Sequence, residues 1–419
     1  MMDIEQWNLL GRAKNERVCA AFEDIIERDG ESDEDFGEDE RPEELADAVL
    51  AEVVALNAAG KWREAHDRFD VAHGPFVPHM EKTEQGLTAV VMLGPDSMLV
   101  RRGDFRDDGP VLHIGGDSIT TLDGVAGFAI GRDRRCLALA TPEGIVISEG
   151  FRGPRAAAIP WPEVGVIRPA SFGISDDGKS LVIANDEAGI WLARAGKWTK
   201  LVPREGVGDE DEPDVVNAAI SPDGRYLAYG WQDAPGHYVE DISGAGVERV
   251  GVIGTVSDYP YLVHFTDDSK RVLSNTRHIY EGVTVCATID SLRGIEAYGD
   301  LPDETPHIDE YLRAYGLCIL PGALLGQEDG VAWIGGAGWS HAAPLGGGKP
   351  AFTQLLGSSL HAFDYDPVSR RVAIASASSM LHVLEPARAA TPGRARGYRP
   401  RHEVYRWIFW DTLEAPIRW

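Results

Sequence analysis

Short apolar runs separated by tight polar turns recur through most of the chain. The clearest copy reads Ala218-Ala219-Ile220-Ser221-Pro222-Asp223-Gly224-Arg225-Tyr226-Leu227-Ala228-Tyr229. This pattern predicts strand, turn, strand. Pro222 presets its own φ, Asp223 can accept from its downstream backbone, and Gly224 tolerates the positive φ such a turn demands. The phrase returns at Phe172–Ala184, Phe128–Ala140, Val263–Ser274 and Phe363–Ala375. Anchors at 128, 172, 218, 263 and 363 are spaced by 44, 46, 45 and 100 residues. The last step is two periods, with a degraded copy at Leu317–Leu325, and a weak first copy at Val91–Val100 brings the anchors to seven.

A period of roughly 40–50 residues built from short strands marks β-propeller blades. Each blade is a small sheet that must stack on its neighbours to bury both faces. A β-sandwich with chance Asp-Gly turns would not hold this register. The fold expected is therefore all-β, a seven-bladed β-propeller over residues 76–419 with a small α-helical, acidic extension over 1–75.

The stretch Ile220 to Tyr229 resembles the blades of bacterial WD-repeat and TolB-like β-propellers, in which an aromatic residue often precedes Ser-Pro-Asp-Gly and a second strand. The copies at Phe172 and Phe363 match it in part, and the resemblance covers about residues 85–385. It implies a fold and says little of function. The Trp-Asp pair that ends many WD repeats is missing at Gly189–Leu192 and at Gly236–Asp241, so the ladder associated with that pair is not implied.

Before the repeats the period changes. Ile4, Trp7, Leu10, Cys19, Phe22, Ile25 and Ile26 fall at helical spacing within residues 3–28. Pro42 then opens a second helix to Leu56, and a shorter one is expected around Lys61 to Asp70. These helices are expected to cover an edge of the propeller, with docking of a partner as the alternative. Between them Asp29 to Glu40 holds one large apolar residue, Phe36, and is expected to stay solvated. The C-terminal stretch Glu403–Asp411, ending in Ile417–Trp419, reads as a strand able to complete the last blade; a strand near Phe76–Val91 is the other candidate.

Charge narrows the partner. Against 40 Lys and Arg stand 67 Asp and Glu, a formal net charge of −27. Such a balance argues against nucleic acid, whose phosphates are met by Lys and Arg, and fits a protein partner with a basic surface. The charge is uneven, with 18 acids and 5 bases in residues 1–60. Ala387 to His402 reverses it, with five arginines and no acid, and is expected to pair with acidic surface. The acidic start Met1–Trp7 does not read as a signal peptide, and no stretch is long enough to span a membrane. A cytoplasmic location is expected; TolB-like relatives are often exported, so this departs from that family. The cysteines form no CxxC, and Cys136, Cys286 and Cys318 are expected as buried thiols.

Catalytic motifs fail on inspection. Ala343–Pro350 lacks the first Gly and the final Ser or Thr of a phosphate loop. Gly338-Trp339-Ser340-His341-Ala342 lacks the last Gly of a nucleophile elbow, and the chain lacks the α/β context. Asp29–Asp35 has Glu34 where a calcium loop needs Gly. The histidines show neither HxH nor HExxH, so no metal or cofactor is expected. The recurring Asp133, Asp177, Asp223 and Asp268 are expected as turn formers. The reading is a non-enzymatic protein–protein interaction module, a scaffold, an adaptor or an inhibitor of immunity type. The candidate partner-binding residues are Trp231, Tyr259, Tyr261 and Trp339. The alternative is a propeller hydrolase or lyase whose site converges from distant loops at a channel mouth.

Overall fold

The repeated phrase folds as a hairpin whose turn is built by the same side chains each time. Asp177, Asp223 and Asp268 each accept the backbone N–H two residues on, at 3.0, 3.0 and 3.1 Å. The hydroxyl two residues earlier donates to the same carboxylate: Ser175 at 2.9 Å, Ser221 at 2.6 Å and Thr266 at 2.6 Å. Each hydroxyl oxygen also accepts the N–H five residues on, so the turn is closed from both sides. Gly224 supplies the positive φ, +69°. These aspartates are turn formers. Neighbouring turns are tied together, with Asp133 N–H donating to Asp176, Asp176 N–H to Pro222 O and Asp223 N–H to Ser269 Oγ.

The computed structural model describes residues 4–28, 36–104, 109–204, 207, 213–254, 259–278, 281–310 and 312–419. It is an all-β propeller with a small helical N-terminus. The first blade comprises Gly86–Gly94, Ser97–Gly103, Val111–Gly115 and Ser118–Thr121, paired antiparallel in that order. Four more four-stranded blades follow within 127–159, 171–202, 217–253 and 260–309. The sequence predicts seven separate blades, and here it is corrected: the strands of 316–418 form one continuous eight-stranded sheet beside five separate blades. The cause is a single 15-residue strand, Phe352–Asp366. Its first half pairs with Ala337–Pro344 and its second half with Arg371–Ser376, so the hydrogen bonding never breaks.

Apolar cores run between neighbouring sheets around the ring. Leu227 and Tyr229 meet Val182 and Leu192, for example, and Phe265 and Val285 meet Ala228 and Val239. The ring closes by packing of Leu87, Val90 and Met92 on Ala373, Leu381 and Trp407. Of the two candidate closing segments, the C-terminal one completes the last sheet: Arg401–Ile408 and Ile417–Arg418 are its outer strands. Gly86–Gly94 is instead the innermost strand of the first blade.

Helices α1 (Ile4–Glu27), α2 (Glu43–Ala58) and α3 (Trp62–Arg68) cover this last sheet. Trp7, Val49, Val53, Phe69 and Phe76 share one core with Met380, Ile408, Trp410, Ile417 and Trp419. Asn57 finishes the edge. Its side-chain amide donates to Arg418 O at 2.8 Å and accepts Arg418 N–H at 2.7 Å, as a further strand would.

The end of the acidic run is docked rather than solvated. Phe36 stacks on Phe22 at 5.0 Å, and the Asp39–Arg41 pair is buried at 2.6 Å. The run had one large apolar group to bury, and it is half-buried. Residues 29–35, including the calcium-loop-like stretch, and most of the acidic stretch 205–214 lie outside the described residues. The arginine-rich segment caps a sheet edge. Leu355 and Thr353 N–H donate to Arg396 O and Tyr398 O, and Arg394 pairs with Asp70 at 2.6 Å. No helix among the described residues is long and apolar enough to cross a membrane. The four cysteines are free thiols; Cys286 and Cys318 are buried, whereas Cys136 is only half-buried.

Candidate functional site: a mouth of the central channel

The innermost strands of the blades surround a cavity of about 310 Å³, walled by small residues such as Ala89, Gly127, Ala129, Gly173, Ala219 and Ala362. Its two ends differ in chemistry.

At the end where the inner strands finish, charges are matched in pairs. Arg132 meets Asp267 at 2.9 Å and donates from Nη2 to His264 Nε2 at 2.8 Å. His264 Nδ1 donates to Phe265 O at 2.8 Å, which fixes the tautomer. Burial, helped by the Arg132 charge, pushes the His264 pKa down to about 3, so the ring is neutral. Arg134 makes a bidentate pair with Asp364 at 2.6 and 2.8 Å, and Asp364 also accepts Met92 N–H at 2.6 Å. These contacts tie the second blade to the fifth, to the eight-stranded sheet and to the first. They brace the ring.

The end where the inner strands begin opens on a second cavity of about 130 Å³. Arg101, Ala170 and Ser171 border both spaces, so the two abut. Arg101 is 5% exposed, its Nε donating to Thr88 Oγ1 at 2.9 Å and its Nη1 to Pro169 O. Across the mouth the Arg277 guanidinium lies 3.5 Å from the Tyr261 ring centre and 5.5 Å from that of Tyr315. Tyr261 and Tyr315 meet edge to face at 5.5 Å, and Tyr315 meets His361 at 5.9 Å. Burial lowers the Arg277 pKa, and the nearby Arg313 charge lowers it further. Burial likewise lowers that of His361, whose Nδ1 donates to Leu87 O at 3.2 Å. The result is one cluster of arginine and tyrosine drawn from several blades.

Of the four sequence-predicted residues, Tyr261 lies in this mouth, though it is 5% exposed rather than free. Tyr259, 37% exposed, joins it through its carbonyl, which accepts Arg277 N–H at 3.1 Å. Trp231 is not at the mouth: it is buried and stacked on Tyr238 at 5.3 Å within a blade core. Trp339 is not at the mouth either: it packs on Phe22 of α1 at 4.0 Å and is half-buried there. Arg101, Arg277, Tyr315 and His361 were missed. A signal for most of the mouth was present: Ala170, Val216, Tyr261, Tyr315 and His361 all stand two residues before an anchor of the repeat, and all line it.

One constellation has the polar sequence of a hydrolase triad. His237 Nε2 donates to Asn217 Oδ1 at 2.7 Å, and Nδ1 accepts from Ser274 Oγ at 2.7 Å. Ser274 and His237 are both 0% exposed, and burial pushes the His237 pKa down to about 3. No substrate reaches that hydroxyl; the group fastens the fourth blade to the fifth. Ser340, from the elbow-like stretch, sits mid-strand and fully buried, donating to Gln354 O. Among the described residues no group of three or more His, Cys, Asp or Glu is placed to hold a metal ion. No protein-family model and no curated protein matches the chain.

Proposed function

We propose that the chain is a protein–protein interaction module, a scaffold, adaptor or inhibitor-type protein, that engages its partner at the Arg101–Tyr261–Arg277–Tyr315–His361 mouth. The observation that carries this reading is composition at a concave, rigidly framed place. Tyrosine and arginine are the residues richest in interface binding energy, because they combine apolar area with directed hydrogen bonds. The threonine and serine hydroxyls at the mouth are already used, Thr88 by Arg101 and Ser171 by Ala218 O at 2.8 Å. The described lining residues include no pair of carboxylates, which favours binding over acid–base hydrolysis.

The net charge of −27 supports a partner with basic surface, drawn in by the long-range field, while the mouth anchors one of its side chains. In this reading residues 1–75 form a cover on the propeller and the protein works in the cytoplasm. We read the eight-stranded sheet as two blades sharing Phe352–Asp366, since a core of Trp333, Phe352, Phe363 and Ile374 lies between its halves. Affinity isolation of the tagged full-length protein from its host, at low and high salt, tests the function. A stoichiometric protein partner released by salt is expected; recovery of a partnerless monomer would overturn the reading.

A further inference from the structure

Propeller blades leave an outer strand edge, and this protein covers several of them. Glu248–Ile253 is capped by the segment around Ile295, whose carbonyl accepts Val252 N–H at 3.0 Å while Gly294 N–H donates to Val250 O at 2.9 Å. Phe352–Asp366 is capped at Thr353 and Leu355 by the arginine-rich segment, and Ile417–Arg418 by Asn57. Lys197–Val202 carries two lysines, which blunt strand pairing, and Ser118–Thr121 is four residues long.

Arg155–Ile159, the outer strand of the second blade, has none of these protections. It pairs on one side with Gly144–Glu149, and among the described residues no backbone group bonds its other side. Arg155, Ala156, Ala157 and Ala158 are all exposed. Ala157 and Ala158 border a groove of about 580 Å³ that continues past Lys179, Arg194 and Arg225.

The groove gathers three cations, Lys179, Arg194 and Arg225, in a protein that is otherwise acidic. The groove's two carboxylates are committed: Asp177 to Lys179 at 3.0 Å and to its turn, and Asp223 to its own turn. Arg225 is matched by Asp241 at 3.3 Å. Arg194 reaches Gly244 O with Nη2, and no carboxylate among the described residues pairs with Arg194 or Arg155. Arg194 therefore borders the groove with no described carboxylate paired to it, and an anionic group arriving from outside would supply that partner.

We propose that the edge Arg155–Ile159 takes an extended acidic polypeptide segment as a fifth strand, with a carboxylate of that segment on Arg194. Backbone pairing supplies the affinity, small alanines let the incoming strand approach, and the two arginines select acidic over basic sequence. This surface is separate from the channel mouth and stands whether or not the mouth binds anything.

The test uses the full chain and a fluorescent peptide of alternating Glu and Val, with alternating Lys and Val as control. The acidic peptide is expected to bind and the basic one not. Arg194→Ala should weaken binding by about tenfold or more, the loss of one charge-assisted bond. Ala158→Pro should abolish it, and because Pro can disturb a blade, the native protein is also offered the acidic peptide N-methylated at alternate residues, which should fail to bind. No binding of the acidic peptide, equal binding of the basic one, or indifference to both Arg194→Ala and N-methylation each overturns the proposal.

Discussion

At the residue scale, the turn of each repeat is held by one hydroxyl. Ser221 Oγ donates to Asp223 and accepts Tyr226 N–H, and it is fully buried. Ser221→Ala strands both partners and should cost about 1–3 kcal/mol in urea unfolding, whereas Ser221→Thr keeps the hydroxyl and should cost less. Histidine burial sets the response to acid. His237 and His73 are both held near a pKa of about 3, chiefly by burial, against about 6.5 in an unfolded chain. Above pH 6.5 both states are neutral and neither site penalises folding. Below it the unfolded chain takes the protons first, so stability should fall continuously from about pH 6.5 toward pH 3. Unfolding midpoints across that range check this: His237→Gln should flatten the slope, and an unchanged slope would remove His237 from the account.

Elements show what sequence could and could not convey. Ser221-Pro222-Asp223-Gly224 was readable because its turn is a local device, complete within six residues. The helices were readable from Trp7, Val49 and Val53, whose spacing needs no knowledge of the partner they bury against. Phe352–Asp366 was not, because an uninterrupted strand serving two sheet halves looks, residue by residue, like any apolar run. Trp231 and Trp339 illustrate the same limit: aromatic residues near strand ends look exposed until Tyr238 and Phe22 are placed on them. The mouth was half legible, since its side chains hold one position in the repeat register, but Arg101 and Arg277 come from neighbouring strands. The helical cover is also an edge cap. Asn57→Ala removes both bonds to Arg418 and should lower stability by about 1–3 kcal/mol by chemical denaturation. Deleting residues 1–75 would bare Met380, Ile408, Trp410, Ile417 and Trp419, and light scattering should report aggregation rather than a free propeller.

For the whole molecule, long-range charge and local chemistry have opposite signs. A net −27 should accelerate encounter with a basic partner, so the association rate should drop steeply between low and physiological salt while the dissociation rate changes little. Stopped-flow or surface-based kinetics separates the two. What holds the partner, once arrived, is assigned to the mouth between the first, fifth and eight-stranded sheets, where Arg277 stacks on Tyr261. The most direct measurement is therefore the dissociation constant of the isolated partner for the native chain and for Arg277→Ala, with the melting temperature of each as a fold control. A loss of about tenfold or more at an unchanged melting temperature is the result expected, in line with truncation of an interface arginine. Equal affinity of the two proteins would place the partner elsewhere and contradict the assignment of the mouth.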